Sequence, residues 1–164
     1  MKLASLHDLF VDELKDLYNA ETQLTKALPK MAKAAASQEL RTAFEKHLEE
    51  TEHQIERLDI IFKQLETTAR GKRCKAMTGL IEEGKEMIEM EGEEAVKDAG
   101  LIAAAQRVEH YEMAGYGTVR TYAHLLGFDE AANLLQETLD EEAAANQKLN
   151  ELAENINVAA QAPA

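Results

Sequence analysis

The chain has 164 residues, with 18 Lys and Arg against 31 Asp and Glu, and a formal net charge of −13 at pH 7. A surface of this sign repels phosphate backbones and anionic headgroups, which argues against nucleic acid and membrane surfaces as partners. The sequence has two Pro and no Trp, and is rich in Ala, Leu, Glu and Lys, which favours an all-α protein. Because no linker is visible, we expect a single domain over residues 1–164.

Hydropathy and cysteine usage suggest a compartment. No segment approaches the ~20 apolar residues of a membrane span, and His7 and Asp8 interrupt the region where a signal peptide would be apolar. The one cysteine, Cys74, cannot form an intrachain disulfide, which is typical of a reducing compartment. We therefore expect a cytoplasmic protein. Cys74 lies in the basic stretch "ARGKRCKA", where positive charge would lower its pKa; a redox role and an incidental loop thiol are both open.

Apolar residues recur at steps of three and four in the first half of the chain, which predicts helices that bury one stripe in a bundle. Pro29 should bend the first helix without breaking it, and Ser37 should cap the second. The predicted stripe of the first helix is Phe10, Leu14, Leu17, Glu21, Leu24, Leu28 and Met31. That of the second is Phe44, Leu48, Thr51 with Glu52, Ile55, Leu58, Phe62 and Leu65.

The second half begins with a predicted short helix near residues 77–91, followed by two long helices that start near Glu93 and Asp129. The third stripe is Ile102, Ala105, Glu109, Glu112, Tyr116, Val119, Ala123 and Leu126. The fourth is Ala131, Leu135, Thr138, Glu141 or Glu142, Ala145, Leu149, Leu152 and Ile156. Short turns within each pair, and a long connection between the pairs, predict an antiparallel four-helix bundle with one crossover, as in ferritin-like folds.

Carboxylates interrupt these apolar stripes near the middle of each long helix, at Glu21, Glu52, Glu109, Glu112 and Glu141. Buried charge is costly unless it is paired or bound to a metal. Antiparallel helices of similar length bring these residues to one level of the bundle. We therefore predict a metal site that also includes Glu49, on the flank of the second helix. One such Glu would be a chance polar intrusion; five at one depth favour the site.

Two helices leave the choice of ligand open. The Glu-x-x-His formed by Glu50 and His53 has the spacing used by di-metal helices, but at about 100° per residue both side chains point away from Leu48 and Ile55. Glu49-x-x-Glu52 is preferred, and a small rotation of the helix would exchange Glu52 for His53. On the fourth helix, Glu141 and Glu142 straddle the stripe, and Glu141 is chosen; Glu137 and Asp140 point further out. The other histidines, His7, His47, His110 and His124, show no mutual metal spacing and are taken as surface or edge residues.

Several stretches resemble those of one bacterial family: "DLYNAETQL", "HLEET", "GLIEEG", "DAGLIAAAQRVEHYE" and "YGTVRTYA". With the order of the helices, they make almost the whole chain similar to the YciF/YciE family of stress-induced, ferritin-like proteins. The resemblance implies a rubrerythrin-like di-metal centre in a protein that is often dimeric, with no established activity. It carries ligand roles to Glu21, to Glu49 and Glu52, and to Glu109 and Glu112. The chain departs from the usual pattern because Glu52 and Ala144 stand where imidazoles would close each Glu-x-x-His.

An all-oxygen site favours hard cations, so we expect two divalent ions of iron or manganese. The leading hypothesis is a di-iron or di-manganese oxidoreductase that reacts with oxygen or peroxide under stress. The alternative is a non-enzymatic dimeric stress protein that uses metal structurally or binds a protein partner. Apolar residues expected on the surface of the short helix, with Gly115 and Gly117 of the third, predict a homodimer; these residues are Leu80, Ile81, Met87 and Ile88.

Overall fold

The computed structural model describes residues 3–161, which form five helices and no strand. The helices are α1 (Leu6–Ala34), α2 (Gln38–Gln64), α3 (Lys75–Glu89), α4 (Glu94–Leu125) and α5 (Asp129–Gln161). The all-α prediction is confirmed, as is the short helix in the crossover. Helix α1 runs through Pro29 without a break.

The four long helices pack as two antiparallel hairpins, α1 with α2 and α4 with α5, and contacts of α1 with α4 and of α2 with α5 join the hairpins. The crossover helix α3 lies against α1 and α4. This is the ferritin-like four-helix bundle with one long crossover that the sequence predicts. Among the residues described, no helix is both long and apolar enough to cross a membrane.

Local capping fixes both hairpin turns. The Ser37 hydroxyl accepts a hydrogen bond from the Leu40 amide at 3.3 Å, as expected of an N-cap. Asp98 of α4 accepts hydrogen bonds from the amides of Ala36 and Ser37 at 2.9 and 2.7 Å, which ties the α1–α2 turn to the other hairpin. Between α4 and α5, Gly127 adopts φ +79°, a conformation that favours glycine at a helix C-terminus.

The apolar core is divided into two clusters by a polar layer. One cluster contains Leu24, Phe44, Val108 and Leu149, among others. The second contains Leu17, Leu58, Tyr116 and Leu135, among others. Each long helix therefore passes from one cluster to the other. The buried polar residues between them are Glu21, His47, Thr51, Gln54, Glu109, Glu112, Thr138 and Glu142.

The crossover helix does not present the exposed apolar surface that the sequence suggested. The four apolar residues expected on its surface, Leu80, Ile81, Met87 and Ile88, are half-buried and pack against the first cluster. The expected exposure was wrong because α3 packs against α1 and α4, so these residues contact the same chain. The homodimer itself stays a prediction.

Candidate metal centre

The polar layer contains five ionisable side chains that converge from all four long helices. They are Glu21 of α1, His47 of α2, Glu109 and Glu112 of α4, and Glu142 of α5. None of the five residues is more than 5% exposed. The apolar clusters on both sides exclude water from the layer, so these groups depend on one another or on a bound ion.

Four of these residues form a compact group. His47, Glu109, Glu112 and Glu142 each offer one nitrogen or oxygen, and these atoms all lie within 4.8 Å of one another. Nε2 of His47 is 3.4 Å from Oε1 of Glu109 and 3.8 Å from Oε2 of Glu142. One imidazole nitrogen and three carboxylates form a donor set suited to Fe²⁺ or Mn²⁺.

Glu21 extends the group toward α1. Its Oε1 accepts a hydrogen bond from the Tyr116 hydroxyl at 2.5 Å, and its other oxygen has no hydrogen-bond partner. The charge of Glu142 and the nearby carboxyl of Glu112 both act on the ionisation of Glu21, which places all three in one electrostatic unit. Glu21 therefore offers a further carboxylate beside the four-residue group.

The strongest indication of a metal site is the lack of hydrogen-bond partners at the centre of the layer. The atoms without a partner are both ring nitrogens of His47, both oxygens of Glu112 and Glu142, and one oxygen each of Glu21 and Glu109. Native proteins leave few buried polar atoms without partners, because each costs about 1–3 kcal/mol and more if charged. A cation coordinated by these atoms would satisfy them together.

The acids show the electrostatic cost of this arrangement. Burial, followed by the charge of Glu142, raises the pKa of Glu21 to about 8. Burial also raises the pKa values of Glu109 and Glu112 well above the usual carboxyl range, and neighbouring carboxylates add to the effect.

The imidazole responds in the opposite sense to its surroundings. Burial disfavours a charged His47, but the negative charge of Glu109, with the nearby carboxylates of Glu50 and Glu142, outweighs this effect, so its pKa is raised to about 10. Without metal, the layer therefore retains protons that a cation would displace.

Glu141 does not join the group. Two nitrogens of Arg57 donate to its carboxylate at 2.7 and 2.6 Å, and the Gln54 amide donates to it at 3.1 Å. The choice of Glu141 over Glu142 is therefore corrected: Glu142 is fully buried among the other acids, and Glu141 is half-exposed in an ion pair.

The second helix is rotated relative to the expected orientation. Glu49, Glu52 and His53 are all exposed, so the structure brings neither the preferred pair nor the alternative histidine into the layer. His47 occupies that position, and Thr51 and Gln54 follow it on the buried face. The expectation was wrong because the buried stripe of α2 is centred on His47, Thr51 and Gln54, whereas Leu48 and Ile55 are half-buried at its edge.

The spacing of the buried residues accounts for both His47 and Glu142, which the apolar pattern alone did not select. The buried residues Phe44, His47, Thr51, Gln54, Leu58 and Ile61 of α2 alternate in steps of three and four without exception. Leu135, Thr138, Glu142, Leu149 and Leu152 of α5 fit the same alternation, with the half-buried Ala145 completing it. Glu141 would break it. The apolar pattern did not reveal the buried face of α2 and α5, because that face is polar at the level of the site.

A small cavity of about 50 Å³ adjoins the group beside His47 and Glu109. Lys46, Glu50 and Lys148 also line it, and Oε2 of Glu50 lies 3.8 Å from Nδ1 of His47. Of the Glu50-x-x-His53 pair, only Glu50 therefore lies beside the site, next to the imidazole of His47. His53 is exposed.

Cys74 is not the basic loop thiol that the sequence suggested. It is fully buried at the start of α3, with Sγ 3.0 Å from the Tyr111 hydroxyl. Tyr111 also donates a short hydrogen bond to Asp16. Burial, with Asp16 nearby, raises the pKa of the thiol, so the predicted lowering was wrong.

Comparison with known proteins gives one consistent family. Residues 5–162 match the family model described as a domain of unknown function (DUF892). The chain is 49% identical to Protein YciF of Escherichia coli over 159 residues, 96% of each protein. The crystal structure of that E. coli stress protein superposes with a TM-score of 0.91 at 49% identity, covering 94% of this chain and 98% of the other. A Rhodopseudomonas palustris protein, YcfI, gives a TM-score of 0.88 at 46% identity over 91% of this chain and 95% of its own.

Proposed function

The chain belongs to the DUF892 family, and from its buried five-residue layer we propose that it is a stress-response protein that binds two divalent ions of iron or manganese. The proposal rests on one observation: five side chains direct buried oxygens and nitrogens that have no hydrogen-bond partner into one layer from which water is excluded. The 49% identical E. coli protein is itself called a stress protein, which supports the physiological setting.

Charge balance supports two ions over one. Glu21, Glu109, Glu112 and Glu142 would contribute four negative charges when ionised, and His47 would bind as a neutral imidazole. Two divalent cations neutralise that set, which removes the cost of burying like charges together. A single divalent ion would leave two negative charges in an apolar environment.

The ligand set is therefore revised from the one that the sequence suggested. Glu21, Glu109 and Glu112 are kept, while His47 and Glu142 replace Glu49, Glu52 and Glu141. His47, Glu109, Glu112 and Glu142 would hold the first ion, because their donor atoms are already within 4.8 Å of one another. Glu21, with its neighbours Glu112 and Glu142, would hold the second ion.

When bound, such ions supply redox chemistry with oxygen or peroxide, which no side chain of the layer could perform. The protein contributes the rest. The two apolar clusters exclude bulk water, and the Tyr116 hydroxyl orients Glu21 from α4. The carboxyls that hold protons in the metal-free layer are the groups able to take up or release protons as the charge at the metals changes.

The test contrasts two neighbouring acids of α5. Metal content of purified protein, measured after reconstitution with Fe²⁺ or Mn²⁺, should be two ions per chain for the unaltered protein and for Glu141→Gln. It should fall for Glu142→Gln. Oxygen and peroxide consumption by the Fe²⁺ and Mn²⁺ forms then tests the activity. Equal metal loss in both variants would refute the ligand assignment.

A structural role for the metal is the second candidate, and the chemistry of the donor set favours it. The layer offers one imidazole where two are usual for a ferritin-like di-metal centre. Two bound ions with no consumption of oxygen or peroxide would support this role and refute the oxidoreductase.

A further inference from the structure

A second feature, distinct from the polar layer, is an apolar groove of about 640 Å³ on the surface between α1, α3 and α4. Its apolar lining includes Leu24, Ala27 and Met31 of α1, Ile81 and Ile88 of α3, and Val108 of α4. The proposed metal function does not use this groove.

The groove is open because small residues line it where the helices come together. Ala27 and Ala34 of α1 and Ala104 of α4 leave the space unfilled. On α3, a Cβ added at Gly84 would lie 3.9 Å from the Ala104 methyl, which is ordinary van der Waals contact, so α3 packs directly against α4 at this point. The crossover thus covers the apolar cluster beneath it while leaving a recess toward α1.

The rim of the groove is basic in a protein that is strongly acidic. Lys26, Lys30 and Lys33 follow one another at steps of four and three along α1 and line one side. Lys85 and Lys97 line it from α3 and α4. A chain with 18 basic residues and a net charge of −13 thus places five lysines around one apolar recess.

The three lysines of α1 are available to a ligand. Among residues 3–161, no carboxylate lies within 4.0 Å of the ammonium group of Lys26, Lys30 or Lys33. The two lysines opposite are partly engaged: Lys85 contacts Glu89 at 3.5 Å, and Lys97 donates to the Ile88 carbonyl at 3.1 Å. The α1 rim therefore carries uncompensated positive charge above an apolar floor.

We propose that this groove binds a monomeric long-chain carboxylate of the fatty-acid type, with its tail against the apolar floor and its carboxylate at the α1 lysines. The volume lies within the roughly 300–1,000 Å³ of small-molecule sites. Each CH₂ of an alkyl chain gains free energy when it leaves water for the apolar floor, and the headgroup pairs with ammonium groups that no carboxylate of residues 3–161 approaches within 4.0 Å.

The same features argue against a membrane as the source of the ligand. Anionic bilayers repel a protein of net charge −13. The apolar residues lie within a recess, whereas binding at a membrane surface requires an apolar face that protrudes. A free amphiphile can enter the recess with its tail enclosed and its carboxylate at the rim.

The test uses cis-parinaric acid, a fluorescent fatty acid, below its micellar concentration, with metal-free and metal-loaded protein. We expect saturable binding of equal affinity in both forms. Dodecanoate should compete, and 1-dodecanol and dodecyltrimethylammonium should compete at least about tenfold more weakly, because they lack the negative headgroup. Equal competition by all three would overturn headgroup recognition.

Matched variants locate the site. Lys26→Glu/Lys30→Glu should weaken binding about tenfold, while Lys63→Glu/Lys75→Glu makes the same charge change at exposed positions outside the groove and should leave affinity unchanged. Ala27→Trp should block the groove, and thermal melting should show that each variant folds. Equal effects of the two double variants, co-flotation with zwitterionic vesicles, or dissociation of a dimer by dodecanoate would each overturn the proposal.

Discussion

Tyr116 of α4 donates a 2.5 Å hydrogen bond to Oε1 of Glu21 on α1, across the interior of the bundle. Both side chains are fully buried, so no water can replace either partner. The bond fixes one oxygen of Glu21 and leaves the other without a partner in the polar layer. A residue outside the proposed ligand set thus determines how one ligand faces the site.

Replacing Tyr116 by Phe should weaken metal binding without removing a ligand. Loss of a group that orients a ligand typically costs about 10–100-fold in metal affinity, and we expect a change in that range for Mn²⁺. Tyr122→Phe is the matched control, because that half-buried ring packs against the same apolar cluster. Titration with Mn²⁺ followed by electron paramagnetic resonance measures both. Unchanged affinity in Tyr116→Phe would contradict a role for Glu21 in binding.

Replacing Glu109 and Glu112 together by Gln should separate charge repulsion from metal binding. The double variant keeps the shape of both side chains but removes the cost of burying two acidic groups. The thermal midpoint of the metal-free protein should therefore rise. The gain on adding Mn²⁺, about 2.7 kcal/mol at a hundredfold excess over Kd, should disappear. Glu49→Gln/Glu52→Gln has the same spacing and the same charge change on the exposed face of α2 and should alter neither quantity. Calorimetry with and without chelator measures both; a metal response lost in the control instead would contradict the site.

The stability of the metal-free protein should fall as pH rises from about 4.5 to about 10. Folding raises the pKa of Glu21 from 4.5 to about 8 and that of His47 from 6.5 to about 10. Between these values the folded state binds more protons than the unfolded one, so each increase in pH favours unfolding.

Bound metal should oppose this trend, because ligands must lose their protons to coordinate and metal affinity therefore rises with pH. Urea unfolding at about pH 5 and about pH 9, in chelator and in excess Mn²⁺, measures both effects. Metal-free stability that is flat or rising over this range would contradict the burial of these groups in the folded protein.

Two glycines of α4 should respond to alanine in opposite directions. A Cβ at Gly115 would lie 2.7 Å from Cδ2 of Leu17, whereas one at Gly117 would meet nothing within 4 Å. Gly115→Ala should therefore destabilise by about 1–3 kcal/mol through overpacking. Gly117→Ala should stabilise by up to about 1 kcal/mol through helix propensity.

Denaturant unfolding of the two glycine variants, with sedimentation, also bears on the predicted homodimer. Gly115 is explained by the close approach of Leu17 within one chain, so it no longer supports a subunit contact. A loss of stability in Gly117→Ala that depends on protein concentration would place the dimer interface at that face of α4. A gain at all concentrations would move the predicted interface elsewhere.

The sequence predicted the helices, and the burial of three of the five ionisable residues in the polar layer, for one reason. In α1 and α4, alternating steps of three and four run without ambiguity through Glu21, Glu109 and Glu112, and apolar residues flank each acid on the same face. The periodicity of a helix that buries one stripe is a local property, so sequence alone reveals it. The short crossover helix and the Ser37 cap are local in the same way.

The remaining positions depended on tertiary packing. Adjacent residues of a helix differ by about 100° in direction, so Glu141 and Glu142, or His47 and Leu48, are distinguished only by how the helix turns against its neighbours. Packing against the other three helices turns His47 and Glu142 into the polar layer, and Arg57 of α2 pairs with Glu141 on the outside. The sequence by itself determined that ionisable residues lie near the middle of each long helix. Only the packed bundle decided which of them face one another, because that depends on contacts between residues such as Arg57 and Glu141 that are far apart in the chain.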